Sequence, residues 1–312
     1  MTETVPVAAA IVTFNRLTLL RACIEAVRAQ EPRPARIIVV DSGSTDGTAE
    51  WLAAQPDLDV VRQRNCGSAG AYHTAFARAM EGDLLWTWAM DDDGRPQPGA
   101  LAELLRQAEA HRLDIAGAMV MAAQAPDELA FRLAGHTRAD AAVAAAGDGG
   151  VLHGDVCPFN GTLIHRRVFE TIGNIKREMF IWGDEWEFGL RARRAGLRLG
   201  TAVHARHVHP RAQSRRIDLF GGRLGWVEEL PEARAHYYFR NMGYIHGRYE
   251  TRAAVPKTLV KYGLYHLLVR RDPAAFRRFA GWYVSGLLDR YPEELKAPPV
   301  PLPLPGADRK SA

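Results

Sequence analysis

Trp86-Thr-Trp-Ala-Met-Asp-Asp-Asp-Gly94 carries an aromatic-rich apolar run straight into three consecutive aspartates, Asp91, Asp92 and Asp93. Gly94 and Pro96 follow at once. The apolar segment, Leu84 to Met90, is short and bounded by turn residues, which predicts a buried strand rather than a helix. Three carboxylates at the C-terminal edge of a strand repel one another. A hard divalent cation relieves that repulsion, because Mg²⁺ and Mn²⁺ take oxygen ligands and bridge them to phosphates. Taken alone, the triplet also reads as a solvated acidic turn.

Upstream, the same pattern repeats. Val7 to Thr13 is a continuous apolar run, as expected of a parallel strand covered on both faces, and Phe14-Asn15-Arg16 turns the chain. Leu17, Leu20, Ile24 and Val27 then fall at the spacing of a helix with one buried face. Ile37 to Val40 is a second strand running into an acid, Asp41, and Ser42 to Gly47 is a turn before a short helix near Thr48 to Ala54. Asp59 to Arg62 reads as a third strand. Asn65-Cys-Gly-Ser-Ala-Gly70 opens the helix that ends near Met80. Strands alternating with helices predict an α/β layer with a mainly parallel sheet, whose ligand lies beyond the carboxyl ends of the strands.

Downstream, Pro98 to Arg112 has the period of an amphipathic helix, and Ile115 to Met121 that of another strand. From Pro126 to Gly150 the pattern dissolves into alanine, glycine and charge, and 139–150 reads as a mobile loop. Order returns at Val156 to Arg167. Asp184 starts a helix that carries Trp186 and Leu190 and stops at Gly196. Leu230 to Leu288 is helical in period and rich in arginine and aromatics, and 297–312 reads as a disordered proline-rich tail.

Composition adds bounds. The 312 residues are 47% hydrophobic and 24% charged with a net charge of +4, a mildly basic balance that suits anionic small molecules or an anionic membrane surface rather than nucleic acid. Cys23, Cys66 and Cys157 are odd in number and far apart, so neither a disulfide framework nor a zinc site is expected and a reducing cytoplasm is. The N-terminus lacks the pattern of a signal peptide. No run of about 18 apolar residues that would span a membrane occurs.

Several residue groups can carry chemistry. His207 and His209 share a face of an extended segment, and His204 points the other way; imidazole with carboxylates is a common metal set, although each histidine also has a structural reading. Asp184 and Glu185 sit where a helix dipole favours carboxylates, so they fit a plain cap. Beside Trp182 and Trp186, a partly desolvated carboxylate there also suits a general base. Asn65 to Gly70 offers backbone amides to a phosphate, or is only a tight turn. Asp41 either holds a base or ribose or caps its own turn. Lys257, Lys261, Arg270, Arg271, Arg277 and Arg278, with interleaved aromatics, form either a solvated basic face or a surface for an anionic bilayer.

Together the pieces resemble the family-2 inverting glycosyltransferases of GT-A fold. The matching motifs are Ile11-Val-Thr-Phe-Asn-Arg16, Val39-Val-Asp-Ser-Gly-Ser-Thr-Asp-Gly-Thr48, Asn65-x-Gly-x-x-Gly70, Met90-Asp-Asp-Asp93, Asn160-Gly-Thr-Leu-Ile164 and Trp182-Gly-Asp-Glu-Trp-Glu-Phe-Gly-Leu-Arg191 with a downstream histidine. They occur in the family's order over residues 5–210. The tryptophan-rich approach to the triple aspartate, and Tyr237-Tyr-Phe-Arg-Asn241, resemble the bacterial galactofuranosyl- and rhamnosyltransferases.

The resemblance implies a GT-A catalytic domain over 1–215, with a nucleotide-sugar half at 5–122 and an acceptor half at 150–215, followed by a helical region over 216–296. It implies that Thr13, Asn15, Asp41 and Asn65 line the nucleotide pocket, with Arg16 and Gly67 near the diphosphate. Asp91 to Asp93 would form the DXD-type motif, with Asp91 and Asp93 on the metal (Mn²⁺ or Mg²⁺) and Asp92 near the donor sugar. His207 would complete the metal shell, with His209 as the competing ligand. Glu185 would be the base. The commoner family pattern has aspartate at that position, so Asp184 stays open as an alternative. Trp182, Trp186 and Asn160 would receive the acceptor. The implied partners are a UDP- or dTDP-sugar and a glycan or polyprenyl-diphosphate-linked acceptor, at the inner face of the plasma membrane. Rival readings are a sugar nucleotidyltransferase, which lacks its lysine-containing phosphate loop here, a metal-dependent hydrolase and a non-catalytic glycan-binding scaffold.

Overall fold

In the computed structural model, which describes residues 4–157, 159–211, 215–223, 225–251 and 253–305, β1 (Thr4–Thr13) is buried on both faces from Val7 onward. Val7, Ala9 and Ile11 pack on one side with Leu20, Ile24 and Val27 of α1 (Leu17–Arg28), at the predicted helical spacing. Ala8, Ala10 and Val12 pack on the other with Tyr72 and Phe76. β2 (Arg33–Asp41), α2 (Thr48–Ala53), β3 (Asp59–Arg62), α3 (Gly67–Ala79) and β4 (Trp86–Asp91) continue the alternation. These four strands lie parallel in the order β3-β2-β1-β4.

Beyond β4 the sheet is mixed rather than mainly parallel. After β5 (Arg95–Pro96), α4 (Ala100–Ala110) and β6 (Ile115–Ala122) come β7 (Ala125–Leu133), β8 (His136–Arg138), α5 (Ala139–Ala146), β9 (Val151–His153) and β10 (Asn160–His165). Strand β10 enters antiparallel between β4 and β6. After α6 (Arg166–Ile172) and α7 (Asp184–Arg194), β11 (Leu199–His209) lies parallel to β6, and β5 pairs antiparallel with its end.

Two expectations are corrected here. The segment 139–150 is not a mobile loop: it forms α5 and a 3-10 turn, Gly147–Gly149, and β7 pairs with β6 before it. Alanine is the strongest helix former, and Ala142 is fully buried against an apolar cluster that includes Met121, Leu129 and Val203. The proline-rich tail is ordered where it meets the edge of β3. Gln63 bridges Pro301, Arg64 N–H donates to Val300 O at 2.8 Å, and Leu302 N–H donates to Arg62 O at 2.9 Å. Proline is tolerated on an edge, and the residues between the prolines supply the bonds. The last part of the expected tail, 306–312, lies outside the described residues.

The described residues of Met1–Lys176, Phe188–Ala212 and Pro298–Ala312 form one compact unit, and those of Arg177–Glu187 and Gln213–Ala297 form a second. The second is not wholly helical: a hairpin of β12 (Arg215–Asp218) and β13 (Trp226–Glu229) precedes α8 (Glu232–Arg248), α9 (Ala254–Leu264), a π-helical turn at Tyr265–Val269, α10 (Pro273–Leu287) and α11 (Glu293–Lys296). Its core includes Phe239, Tyr262, Phe279 and Tyr283. Helices α8 and α10 touch through glycine: a β-carbon at Gly243 would collide with Tyr283 O, and one at Gly286 with Arg240 O. Gly286→Ala should therefore destabilise this unit by about 1–3 kcal/mol, because backbone cannot yield as a side chain does. Gly281→Ala, on the same helix with open space around it, should be neutral or stabilising. Denaturant titration of the two variants checks the contrast.

Candidate active site at the carboxyl ends of the strands

Strand register brings the functional candidates of the first unit together. Thr13 ends β1 opposite Asp41 at the end of β2, and Val12 pairs with Asp91 at the end of β4. Each aspartate of the triplet has its own partner. Tyr72 Oη donates to Asp91 Oδ1 at 2.8 Å. Thr13 Oγ1 donates to Asp92 Oδ2 at 2.7 Å. Arg16 Nη1 donates to Asp92 Oδ1 at 3.2 Å and Asp93 Oδ2 at 2.6 Å. His209 Nε2 lies 3.0 Å from Asp93 Oδ1.

One ligand atom each from Asp91, Asp93 and His209 lie within 4.8 Å of one another. Two carboxylates and an imidazole are an ordinary donor set for a first-row divalent ion. The protonation pattern fits that use. Burial, with Asp93 and Asp92 alongside, pushes Asp91 up to about 6 despite its bond from Tyr72. Burial likewise takes Asp92 to about 6 against Thr13 and Arg16. Desolvation also acts on Asp93, but His209 and Arg16 outweigh it and hold that carboxyl below the usual range. Burial, with neighbouring like charge adding to it, raises two of these acids, and positive charge among them would stabilise their ionised form.

The histidine in this group is His209 rather than His207. The His207 ring is fully buried, and neither of its nitrogens has a hydrogen-bond partner among the described residues. Burial pushes it down to about 3, so it is neutral. It fills space left by two glycines: a β-carbon at Gly94 would collide with Nε2, and one at Gly161 would lie 2.8 Å from Nδ1.

The remaining first-unit candidates build turns. Asp41 is fully buried, accepting from Ser44 N–H at 2.9 Å and Arg62 Nε at 3.1 Å, so both its oxygens are engaged within the chain. Asn15, at φ 55°, donates its N–H to Ser44 Oγ and accepts from Thr45 N–H through Oδ1. The turns after β1 and β2 are thereby joined. Asn65 Oδ1 accepts from Gly67 N–H at 2.9 Å at the start of α3. Asn160 is buried at the start of β10, opposite Met90. Sequence reasoning missed Tyr72 and Arg62. Tyr72 sits on the buried face of α3 four residues before Phe76, and nothing in that spacing names Asp91 as its partner.

The other candidates belong to the second unit. Asp184 is buried at the first position of α7, Glu185 is half-buried and Trp186 is exposed. Trp182 takes φ 65°. Glu187, which the sequence reading passed over, is buried and accepts from Tyr249 Oη at 2.7 Å.

Residues 9–173 match the family described as Glycosyl transferase family 2. The chain is 31% identical over 303 residues to galactofuranosyltransferase GlfT1 of Mycolicibacterium smegmatis, covering 93% of this chain and 99% of that one. It is 32% identical over 282 residues to GlfT1 of Mycobacterium tuberculosis H37Rv, covering 88% and 92%. Among solved structures it resembles S. aureus TarS 1-349 with TM-score 0.54 at 11% identity, over 93% of this chain and 82% of that one. It also resembles GalNAc-T7 with UDP, GalNAc and Mn²⁺ with TM-score 0.51 at 15% identity, over 79% and 51%. Both likenesses bear on the fold, which is GT-A.

A cation on Asp91 displaces a proton wherever that carboxyl is protonated. Despite burial, Asp93 holds His209 above its ordinary value, so a bound cation would displace a proton there too, and affinity for Mn²⁺ should decline already as pH falls through neutrality and more steeply below about 6, by about tenfold per pH unit for each proton displaced. Calorimetry in buffers of differing ionisation enthalpy reads both affinity and proton release. Affinity independent of pH across this range would exclude Asp91 as a ligand.

Proposed function

The chain belongs to glycosyl transferase family 2 and is a glycosyltransferase, and on that footing we propose that it transfers galactofuranose from its UDP-sugar, with inversion, to a hydroxyl of a glycan or polyprenyl-diphosphate-linked acceptor in cell-envelope polysaccharide synthesis. The observation that carries this reading is the convergence of Asp91, Asp93 and His209 beside Thr13 and Arg16 at the strand ends. The galactofuranosyltransferase relatives, matched along nearly their whole length, favour galactofuranose over rhamnose.

Asp91, Asp93 and His209 would hold Mn²⁺ or Mg²⁺, which when bound neutralises charge on the departing diphosphate. Arg16 and the amides opening α3 at Gly67 add positive potential for the same group. Thr13, Asn15, Asp41 and Asn65 shape the nucleotide end, and Asp92 serves the donor sugar. Glu185 or Asp184 takes the proton of the acceptor hydroxyl as its oxygen attacks the anomeric carbon. The nucleoside diphosphate leaves from the opposite face. A single displacement without a sugar–enzyme adduct inverts the configuration. Trp182, Trp186 and Asn160 receive the acceptor.

No helix among the described residues is long and apolar enough to cross a membrane. Exposed Val260, Leu267, Leu268 and Val269 occur near Lys257, Arg270 and Arg271, a combination suited to the anionic inner face of the plasma membrane and to a lipid-borne acceptor.

Titration of UDP, dTDP, GDP and their sugars, with and without Mn²⁺, tests the donor half. UDP and UDP-galactofuranose should bind in a Mn²⁺-dependent way, and Asp93→Ala should lose at least about tenfold in affinity. No binding of any nucleotide would reject the reading. For the membrane half, the chain should sediment with phosphatidylglycerol vesicles and not with phosphatidylcholine ones. A Leu267→Glu, Leu268→Glu double variant should stay in the supernatant of both.

A further inference from the structure

Tyr237-Tyr-Phe-Arg-Asn241 has no part in the chemistry above, yet within the second unit it meets the segment that leads into Asp184 and Glu185. Tyr237, Asn241 and Ile245 recur every four residues on one face of α8. Phe180 stacks on Tyr237 with ring centroids 4.3 Å apart and planes at 9°. Gly183 lies so close that a β-carbon there would be 3.2 Å from Ile245 Cδ1 and 3.5 Å from Asn241 Cβ. Asn241 itself is fully buried. Its Nδ2 donates to the carbonyls of Met179 at 2.8 Å, Ile181 at 3.0 Å and Trp182 at 2.7 Å. Two amide protons serve three acceptors, so at least one proton is shared. Tyr291 Oη, 3.2 Å from Oδ1, donates to it and fixes which way the amide faces.

The segment needs such a clamp. Phe180 and Trp182 take φ of 63° and 65°, and Gly183 takes 94°. Left-handed backbone is unfavourable for aromatic residues and persists only where the surroundings impose it. Met179 O also accepts from Ile181 N–H at 2.7 Å, but the carbonyls of Ile181 and Trp182 lie in an irregular turn outside any helix or strand ladder, where a buried acceptor without a donor is costly.

We propose that Asn241 is a positioning residue for the acceptor-side acids: α8 acts as a template on which the Met179–Gly183 turn is set, and the turn fixes where α7 starts and where Asp184 and Glu185 stand. The inference rests on the reading of one of those acids as the base. A base displaced by about 1 Å can lose on the order of a hundredfold in rate. Loss of the clamp should therefore lower kcat while leaving donor recognition, which belongs to the first unit, untouched.

The test uses the full chain with UDP-galactofuranose as donor. Asn241→Ala should lower kcat by about tenfold to a hundredfold with donor KM unchanged. Amide exchange over residues 180–186 should quicken while that of α10 does not. Where Asn241→Ala fails to fold, Tyr291→Phe keeps the amide but removes the hydroxyl that orients it, and should show the same pattern in weaker form. Unchanged exchange over 180–186, or equal loss of protection throughout the unit, overturns the proposal; the latter marks a purely structural role. Glu185→Gln and Asp184→Asn, measured alongside, read the base assignment separately. Full turnover in both variants would reject that assignment, whereas the exchange data decide the clamp.

Discussion

Electrostatic repulsion among three adjacent carboxylates at the end of β4 is the constraint to which the strand ends of the first unit answer. Two unit charges about 4 Å apart repel by about 4 kcal/mol at an effective dielectric of about 20, and here three are crowded at a strand end where two side chains are largely withdrawn from water. The chain answers by giving each acid a partner from a different element. Asp91 has Tyr72 of α3, Asp92 has Thr13 at the end of β1, and Asp93 has His209 at the end of β11. Arg16, in the turn after β1, spans the second and third. None of these partners can arrive unless β1 lies beside β4 and β11 ends on the same side of the sheet. The strand order is thus tied to the charge problem.

The mixed half of the sheet serves the same end. Because β10 runs antiparallel beside β4, its Gly161 comes to lie against the His207 ring, and Gly94 of the turn after the aspartates lies against it too. An uncharged imidazole, held neutral by burial, fills that space. A charged or larger group there would alter either the packing or the field felt by Asp93 and His209. His207 thus supports the site by shape, while His209 faces the acids.

The acids read as the base follow a different logic. They lie between Arg177 and Glu187, a stretch that packs with the C-terminal helices rather than with the sheet. Their setting is built from backbone carbonyls, aromatic rings and one buried amide instead of from strand ends. Two kinds of scaffold thus carry the candidate residues: strand termini in the first unit, and a strained turn packed on a helix in the second.

The sequence by itself determined the alternation from β1 to β4 and the presence of Thr13, Asp41 and Asp91 at strand ends. These follow from local apolar periodicity and turn residues, which act within a few positions of the chain. It also supplied the motif order by which the family was expected. The choice between His207 and His209 was not legible, since residues two apart on a strand share a face and only the depth of the surrounding packing tells the buried spacer from the ring that meets the acids. Helix α5 was hidden because alanine-rich composition looks the same in a loop and in a helix until Ala142 finds its cluster. The tail read as disordered because its order comes from an edge of β3 more than 200 residues away. The direction of β10, the Tyr72–Asp91 bond and the meeting of Asn241 with the Met179–Gly183 turn were likewise decided only by tertiary structure. Each joins groups distant in sequence, and no local preference encodes such a pairing.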